Sequence, residues 1–536
     1  MRFAVLSDTH YISEKVLYDE GSVSPRAILR RDVNKQVFND LTKRTDLDTI
    51  LITGDLTDAG DLDSHREFIE ILREVKASGK KVYVLTATHD FHFSRAYVSV
   101  YEQPVRYKDR PWEKPWCDLE NTDYKSLVAD EFAGLSAEEC RPLVRPVAFP
   151  DDLWEMYREF GRDQAFSVCE SAYSYAVKLE DKLWCMMLNN NFRDVDAMYD
   201  ASPTYSPACY RWIERIVREA KKEGAFVFAC THHPLVPPVP AYKLGGTPRN
   251  MRNSYVCHTL ADIGISLVFS GHTHFSNIAF GSSDRGKILC NVTTPSICFL
   301  PPAWRLAELE PETHRLRLTN IESEKTEEMN VAENTLREHY IREFIDDQRR
   351  KIVALPHGLG SIALGARVKH FYPLCKSASG LTKDEYMQIC DKKIFDIMMD
   401  ATVNMQVGDG KYTPDTPVYK FMMGLSAVAD SVLAAQPFIP IEKKLQGYSI
   451  SQIVEPMLYK KGVPDGDADF IFDRLPDEET ATAFSSRAGD AVMIVLSAAA
   501  ILLSPLSPVV SSLAIPVMTL RKKKKLRMSP PRPERY

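Results

Sequence analysis

The sequence predicts an α/β domain over residues 1–325, a helical accessory domain over 326–487, and a hydrophobic segment with a basic tail over 488–536. Three observations carry this expectation. Short apolar runs alternate with amphipathic helical patterns as far as about residue 320, the mark of a sheet covered by helices. Beyond about residue 330 strand signals are nearly absent, and apolar residues recur at helical spacing. Finally, Ala491–Leu520 runs for thirty residues without a charge and is followed by Arg521-Lys522-Lys523-Lys524-Lys525.

The elements follow in order. Strands are expected at Phe3–Ser7, Thr49–Thr53, Lys81–Thr86, Ser174–Lys178, Leu183–Leu188, Ala225–Thr231, Leu267–Ser270 and Ile288–Val292. Helices fall between them, notably Asp61–Ser78 and Pro207–Glu223, the second with Tyr210, Ile213, Ile216 and Val217 near one face. Residues 91–165 are rich in Pro, Trp and Tyr, with little periodicity until Leu153–Phe160. Structureless loops of that length are uncommon, so the stretch reads as a lid or substrate-side insertion. Its Tyr107, Trp112 and Trp116 suit either stacking on a nucleobase or lipid-like group, or anchoring the insertion itself. In the accessory domain one helix is marked by Leu336, Tyr340, Phe344 and Ile345. Another is marked by Val418, Phe421, Met422, Leu425, Val428, Ala429 and Val432. Met398-Met399 and Met422-Met423 lie in apolar helical patterns and read as core. Gly358-x-Gly360 lacks a preceding strand and a P-loop lysine and reads as a turn.

Composition narrows the class. At 536 residues, with 44% hydrophobic and 26% charged residues, the chain is long enough for a large core and is not a disordered type. A net charge of -6 gives no general reason to expect nucleic-acid binding. The eleven cysteines include no CxxC pair, and several sit in apolar runs, as Cys185 and Cys230 do. They read as buried free thiols in a reducing compartment. The first apolar run passes straight into Asp8 and His10, so it reads as a strand and not as a removable leader, and the α/β domain is expected in the cytoplasm.

Five segments place Asp or His directly after an apolar strand: Asp8-Thr9-His10, Gly54-Asp55-Leu56-Thr57-Asp58, Thr88-His89-Asp90, His232-His233-Pro234 and Gly271-His272-Thr273-His274. Residues just past the carboxyl ends of strands in an α/β sheet line one crevice, so these segments are expected to converge. Converging carboxylates and imidazoles suit divalent zinc, manganese or iron. If the segments are extended, the two-residue spacing of Asp8/His10 and of His272/His274 points each pair to one side. Singly, each segment is ordinary; five in order after strands are not.

In this combination the chain resembles the calcineurin-like metallophosphoesterases, with their DxH, GDxxD, GNH(D/E), HxP and GHxH motifs, over roughly residues 1–310. The resemblance implies a four-layer α/β/β/α sandwich and two divalent metals bridged by an aspartate. It implies Asp8, His10 and His274 on the first metal, Asp55 bridging, His232 and His272 on the second, and His89 as the acid beside the leaving group. Asp58, Asp90 and His233 are expected to support these. Thr88 stands where the family has the asparagine that ligates the second metal, and its shorter hydroxyl is a poorer ligand.

The expected activity is hydrolysis of a phosphodiester or phosphomonoester by a metal-bound hydroxide, on a small-molecule or lipid-linked substrate. Thr88 leaves room for a second reading, a non-catalytic or single-metal membrane scaffold that keeps the fold. A nuclease is a third; the catalytic region has no basic stripe, and no nucleic acid is expected. The tail points to an anionic membrane surface. Thirty uncharged residues exceed the roughly 20 that span a bilayer. Pro505, Pro508 and Pro516 interrupt them, however, leaving halves of 13 and 12 residues around Ser504–Pro508. With the basic run favouring the cytoplasmic side, a re-entrant hairpin is expected, with a single tail-anchor helix or a buried hairpin as alternatives.

Overall fold

Strand β1 (Arg2–Leu6) divides its side chains between two cores. Phe3 and Val5 enter one, Ala4 and Leu6 the other, and all four are buried. This two-residue alternation, expected of a strand covered on both faces, organises the first unit. The computed structural model describes residues 1–13, 28–58, 60–90, 148, 150–190, 205–236, 248–299, 302–322, 324–353, 361, 364–407, 412–435, 449–459 and 466–475. They fall into two units. One comprises Met1–Pro238, Thr247–Tyr340 and Lys461–Ala483; the other comprises Val239–Gly246, Ile341–Lys460 and Phe484–Tyr536.

The first unit holds two mixed sheets. In the first, β1 lies between β2 (Thr49–Ile52) and β11 (Ala303–Glu310). β3 (Lys81–Val84) closes one edge, and β12 (Arg315–Glu322) and β13 (Ala468–Ile471) close the other. β1, β2 and β3 run parallel, in register Ala4↔Ile50 and Ile50↔Val82. The second sheet runs β4 (Ser167–Cys169), β5 (Ser174–Glu180), β6 (Leu183–Met187), β7 (Phe226–Cys230), β8 (Leu267–Ser270), β10 (Ile288–Thr293) and β9 (Asn277–Ser282). Its β6, β7, β8 and β10 are parallel. Phe3 and Val5 pack with Phe228, Cys230 and Phe269 between the sheets. On the outer face of the first sheet, Phe38 of α1 (Asn34–Lys43) and Phe68 and Leu72 of α2 (Leu62–Ala77) cover Ala4, Ile50 and Val82. On the second, Trp212, Ile213 and Ile216 of α4 (Pro207–Glu223) and Leu260 of α5 (Pro248–Ile263) cover Val227 and Ala229. These are the four layers of an α/β/β/α sandwich.

Local chemistry sets the helix ends. The Asp61 carboxylate accepts from Ser64 N at 2.8 Å to start α2. Ser206 does the same for Cys209 N at 3.2 Å, ahead of Pro207, and α4 stops at Gly224 in left-handed backbone. The later part of the expected insertion, from α3 (Pro150–Met156) to Phe160, buries Leu153, Tyr157 and Phe160 in the outer core of the first sheet. It is therefore an anchored segment; residues 91–147, with Tyr107, Trp112 and Trp116, lie outside the described residues.

In the second unit α7 (Val368–Ser379), α8 (Lys383–Ile389), α9 (Ile394–Val407), α10 (Pro417–Ala435) and α11 (Ile450–Leu458) surround Phe371, Met398, Phe421, Met422 and Val454. The paired methionines are core, as their spacing suggested. Earlier in the chain, α6 (Glu327–Val353) runs across the division at Tyr340, and its Met329 and Ala332 join the outer core of the first sheet. The expected helical range 326–487 does not anticipate β13, which pairs with β12 at Arg315↔Ile471. Four residues are too few for a legible alternation. Gly358 to Gly360 and the stretch 476–536 lie outside the described residues, among which no helix is long and apolar enough to cross a membrane. Of the described cysteines, all but Cys390 are buried.

His65 of α2 ties three elements together. Its Nε2 donates to the Asp90 carbonyl at 2.7 Å, and its Nδ1 accepts from the Tyr157 hydroxyl at 2.8 Å. Burial pushes its pKa down to about 4. Since an unfolded histidine titrates near 6.5, the neutral ring stabilises the fold fully above that pH. As pH falls from about 6.5 to 4, up to about 3 kcal/mol of that stability is lost. Urea unfolding of a His65→Phe variant is expected to show a shallower loss of stability across that window than the parent chain. Equal slopes would assign the acid sensitivity to another group.

Candidate metal centre

The five segments singled out in the sequence meet at one rim, where parallel strands of both sheets end. The exits of β1 and β2 are joined by backbone bonds: Asp8 N to Gly54 O, His10 N to Asp55 O and Tyr11 N to Leu56 O, each 2.9 Å. From the second sheet, His272 N donates to the Asp8 carboxylate at 2.9 Å, and Gly271 N donates to His232 O at 2.9 Å. The backbone itself is unusual. Asp8, His10, Asp55, His272 and His274 have φ of 51°, 43°, 53°, 69° and 66°, in the left-handed region that non-glycine residues rarely adopt. Only two other non-glycine residues among those described, Tyr173 and His314, share it. The extended alternation expected for the two-residue pairs is therefore corrected: left-handed turns, not strand pleat, aim these side chains.

They assemble into two groups able to hold a metal, Asp8/His10/His274 and Asp55/His232/His272. In the first, His10 Nε2 and His274 Nε2 face each other at 3.1 Å, and Asp8 Oδ1 lies 3.3 Å from His274 Nε2. In the second, His232 Nε2 lies 3.0 Å from Asp55 Oδ2. The pair His272/His274 is thus divided between the groups. Asp55 also lies near the first group, with Oδ2 4.0 Å from His10 Nε2.

These residues fit divalent ions. The Thr53 carbonyl, 3.1 Å from His232 Nδ1, can only accept, so Nδ1 carries the proton and Nε2 points a lone pair at a carboxylate oxygen. Two lone pairs at that distance need a cation between them. In the metal-free chain a proton serves: burial would lower the His232 pKa, but Asp55 outweighs it and raises it to about 9. In the first group, two nitrogens bound at about 2.0–2.1 Å to one ion lie about 3–3.4 Å apart, which brackets the 3.1 Å seen here. Burial would raise Asp8 and Asp55, yet His274 and His232 hold Asp8 below its ordinary value. His232 and His89 hold Asp55 well below. Burial and the neighbours His89 and His274 keep His10 well down, leaving a neutral imidazole suited to ligation.

The supporting residues sort differently. Asp90 accepts from Ala87 N at 2.7 Å and from Thr57 N at 2.8 Å, stapling the exits of β2 and β3 together. Both its oxygens are engaged by these backbone N–H groups, which makes it a brace, while burial and the Asp55 charge raise its pKa well above normal. His89 Nδ1 donates to the Asp58 carbonyl at 2.7 Å, and its backbone N donates to Asp55 Oδ1 at 2.8 Å. Asp58 Oδ1 lies 3.6 Å from His10 Nδ1 and pairs with Arg30. Together His10, Asp58 and His89 form a further Asp/His group. The Thr88 hydroxyl lies 3.3 Å from Asp55 Oδ1, to which it donates. The His233 ring lies 4.2 Å from that of His272.

Sequence reading missed three supports. Arg30 sits in a π-helical turn, Ile28–Val33, and Asn34 just after it donates to Thr9 O at 2.7 Å. Neither follows a strand, so the strand-exit rule had no purchase on them. Ser296, which donates to the Asp8 carbonyl at 2.7 Å, follows β10 by three residues but is neither Asp nor His.

The profile of the calcineurin-like phosphoesterases matches residues 1–276. No curated protein matches the chain. Among solved structures it is similar to a dimetal phosphatase from Danio rerio, at 13% identity and a TM-score of 0.35, covering 60% of this chain and 98% of that one. A purple acid phosphatase from yellow lupin seeds gives 11% and 0.32, covering 60% and 51%. An NAD nucleotidase from Haemophilus influenzae gives 12% and 0.28, covering 63% and 56%.

The rim has no room for a side chain at Gly271. A Cβ there would lie 1.7 Å from Ser7 Oγ and 2.4 Å from Asp8 Oδ2. Gly271→Ala is expected to displace Asp8 and to destabilise the fold by about 1–3 kcal/mol, as overpacking does. Metal content per chain should fall together with the unfolding midpoint; a variant with wild-type values of both would show that the rim is not packed as described.

Proposed function

The chain belongs to the calcineurin-like phosphoesterases, two-metal hydrolases of phosphoric esters, and from that premise we propose that it cleaves a small-molecule or lipid-linked phosphodiester or phosphomonoester at this rim. The observation that carries the reading is the pairing of two Asp/His groups on strained strand exits, with Asp55 close to both. In this reading Asp8, His10 and His274 would hold the first ion, His232 and His272 would hold the second, and Asp55 would be shared. When bound, the ions supply Lewis acidity and bring the pKa of a water towards about 7.

The chain's own residues do the rest. His10 is kept neutral, so it offers a lone pair at neutral pH. Asp8 and Asp55 stay ionised despite burial and neutralise the cations. His89 is oriented by its Nδ1–H bond to the Asp58 carbonyl, which leaves Nε2 as the atom that exchanges a proton with the leaving oxygen. Asp58 Oδ1 stands 3.6 Å from His10 Nδ1, a charge beside the ring rather than a hydrogen bond to it, and it is paired with Arg30.

Asp55→Ala is expected to abolish hydrolysis of bis(p-nitrophenyl) phosphate and p-nitrophenyl phosphate and to lower metal content. His89→Ala should keep both metals and lower turnover about 10²–10⁴-fold, most for esters with poor leaving groups. Metal analysis alongside kinetics decides it: an active Asp55→Ala, or a His89→Ala that has lost its metals, would overturn the roles. A parent chain that binds metal but hydrolyses neither ester would favour the scaffold reading, for which Thr88 is the supporting observation.

We also infer a cytoplasmic, membrane-associated location from the uncharged run 491–520 and the basic run 521–525, which lie outside the described residues. The apolar stretch supplies insertion, and each Lys or Arg near anionic headgroups adds about 1 kcal/mol. Deleting residues 491–525 is expected to move the protein from the membrane pellet to the soluble fraction. A full-length chain already recovered in the soluble fraction would remove the inference.

A further inference from the structure

The second group offers one ligand fewer than the resemblance to the family implies. Asp55, His232 and His272 are three donors, and the Thr88 hydroxyl, which stands where the family has an amide, donates to Asp55 Oδ1 at 3.3 Å. A hydroxyl engaged as a donor to that carboxylate is poorly placed to be a fourth ligand. The exit of β6, parallel to β7 and next to it, brings a different amide to the same rim. There Leu188 N donates to Cys230 O at 2.9 Å, which holds the β6 exit against the β7 exit that carries His232. Asn189 Nδ2 donates to Thr86 O at 3.0 Å, two residues before Thr88. Asn190 Nδ2 donates to His233 O at 3.5 Å, one residue after His232. One amide is thus tied to the backbone beside the segment that has lost its asparagine, and the other to the backbone beside His232, a histidine of the second group.

Asn190 is 2% exposed, and its Oδ1 has no hydrogen-bond partner among the described residues. An amide oxygen has two lone pairs, and a buried one left unpaired is unfavourable. Such orphaned groups in a native fold call for an explanation, a missing ion being one. Neutral amide oxygens are accepted by manganese, zinc and iron beside carboxylate and imidazole. We propose that Asn190 supplies, through Oδ1, the amide ligand of the second metal that Thr88 does not provide. This rests on the two-metal reading above and deepens it: the position of the family's asparagine is vacated, and the neighbouring strand exit fills the role.

The test reads metal binding and not turnover alone. Manganese is titrated into full-length, metal-free protein by calorimetry, with ions per chain counted by elemental analysis and the spin-coupled pair followed by electron paramagnetic resonance. Asn190→Leu keeps the volume and removes the oxygen; it is expected to weaken the second site at least about tenfold and to diminish the coupled signal. Asn190→Asp keeps an oxygen and should retain both ions. Thr88→Asn in the Asn190→Leu background should restore the second ion, an outcome that a merely structural Asn190 would not give. Circular dichroism establishes that each variant is folded. If folded Asn190→Leu binds two ions with parent affinity, or if Thr88→Asn does not rescue its loss, the proposal is overturned. Failure of the parent chain itself to bind two ions would instead overturn the two-metal reading on which it stands.

Discussion

Left-handed backbone at the strand exits is the constraint on which the site depends. Asp8, His10, Asp55, His272 and His274 each occupy a conformation that costs about 1–3 kcal/mol for a side-chain-bearing residue. Such strain persists only where the surroundings over-determine it, and here they do. The exits of β1 and β2 are joined by three backbone bonds, and Asp90 staples β2 to β3. The His272 amide reaches across to Asp8. Gly54 and Gly271 give the room: a Cβ on Gly54 would sit 2.6 Å from that of Ala87. The strained residues are almost the same set that the metal groups contain, so the sandwich invests its distortion where donors must converge.

Burial then separates carboxylates that are chemically alike. Asp55 and Asp90 are both withdrawn from water, and both accept backbone N–H groups. Imidazoles close to Asp55 hold it ionised, whereas Asp90 meets the charge of Asp55 itself and is pushed towards the neutral form. One is thereby suited to cations and the other to bracing the loops. Two titratable groups pushed apart by environment in this way are how one fold assigns different roles to the same side chain.

Much of this was legible in the sequence, for a physical reason. Strands buried on both faces are continuous apolar runs, and the residue after each run sits at the rim, so Asp or His there is visible without a structure. The eight strands expected are all present with ends shifted by a residue or two, and Pro207–Glu223 is found as expected because Ser206, Pro207 and Gly224 mark its ends. What was not legible has causes too. β13 is four residues long and reaches β12 from about 150 positions away in the chain, and no local pattern encodes such a pairing. Positive φ at Asp8 or His274 is imposed by the neighbours, since neither residue type demands it. Arg30, Asn34 and Asn190 were missed because a rule that looks for Asp and His after strands is blind to a guanidinium on a helical turn or to a neutral amide.

The two groups share their carboxylates. His10 Nε2 lies 3.9 Å from Asp8 and 4.0 Å from Asp55, while His232 Nε2 lies 4.0 Å from Asp8 and 3.0 Å from Asp55. Each carboxylate therefore interacts with imidazoles of both groups, and at such separations in a buried site their charges are weakly screened. A cation in either group would therefore lie within the field of both carboxylates. Asp8 and Asp55 are the two side chains that reach imidazoles of both groups, so the six donors form one electrostatically connected cluster and not two separate ones.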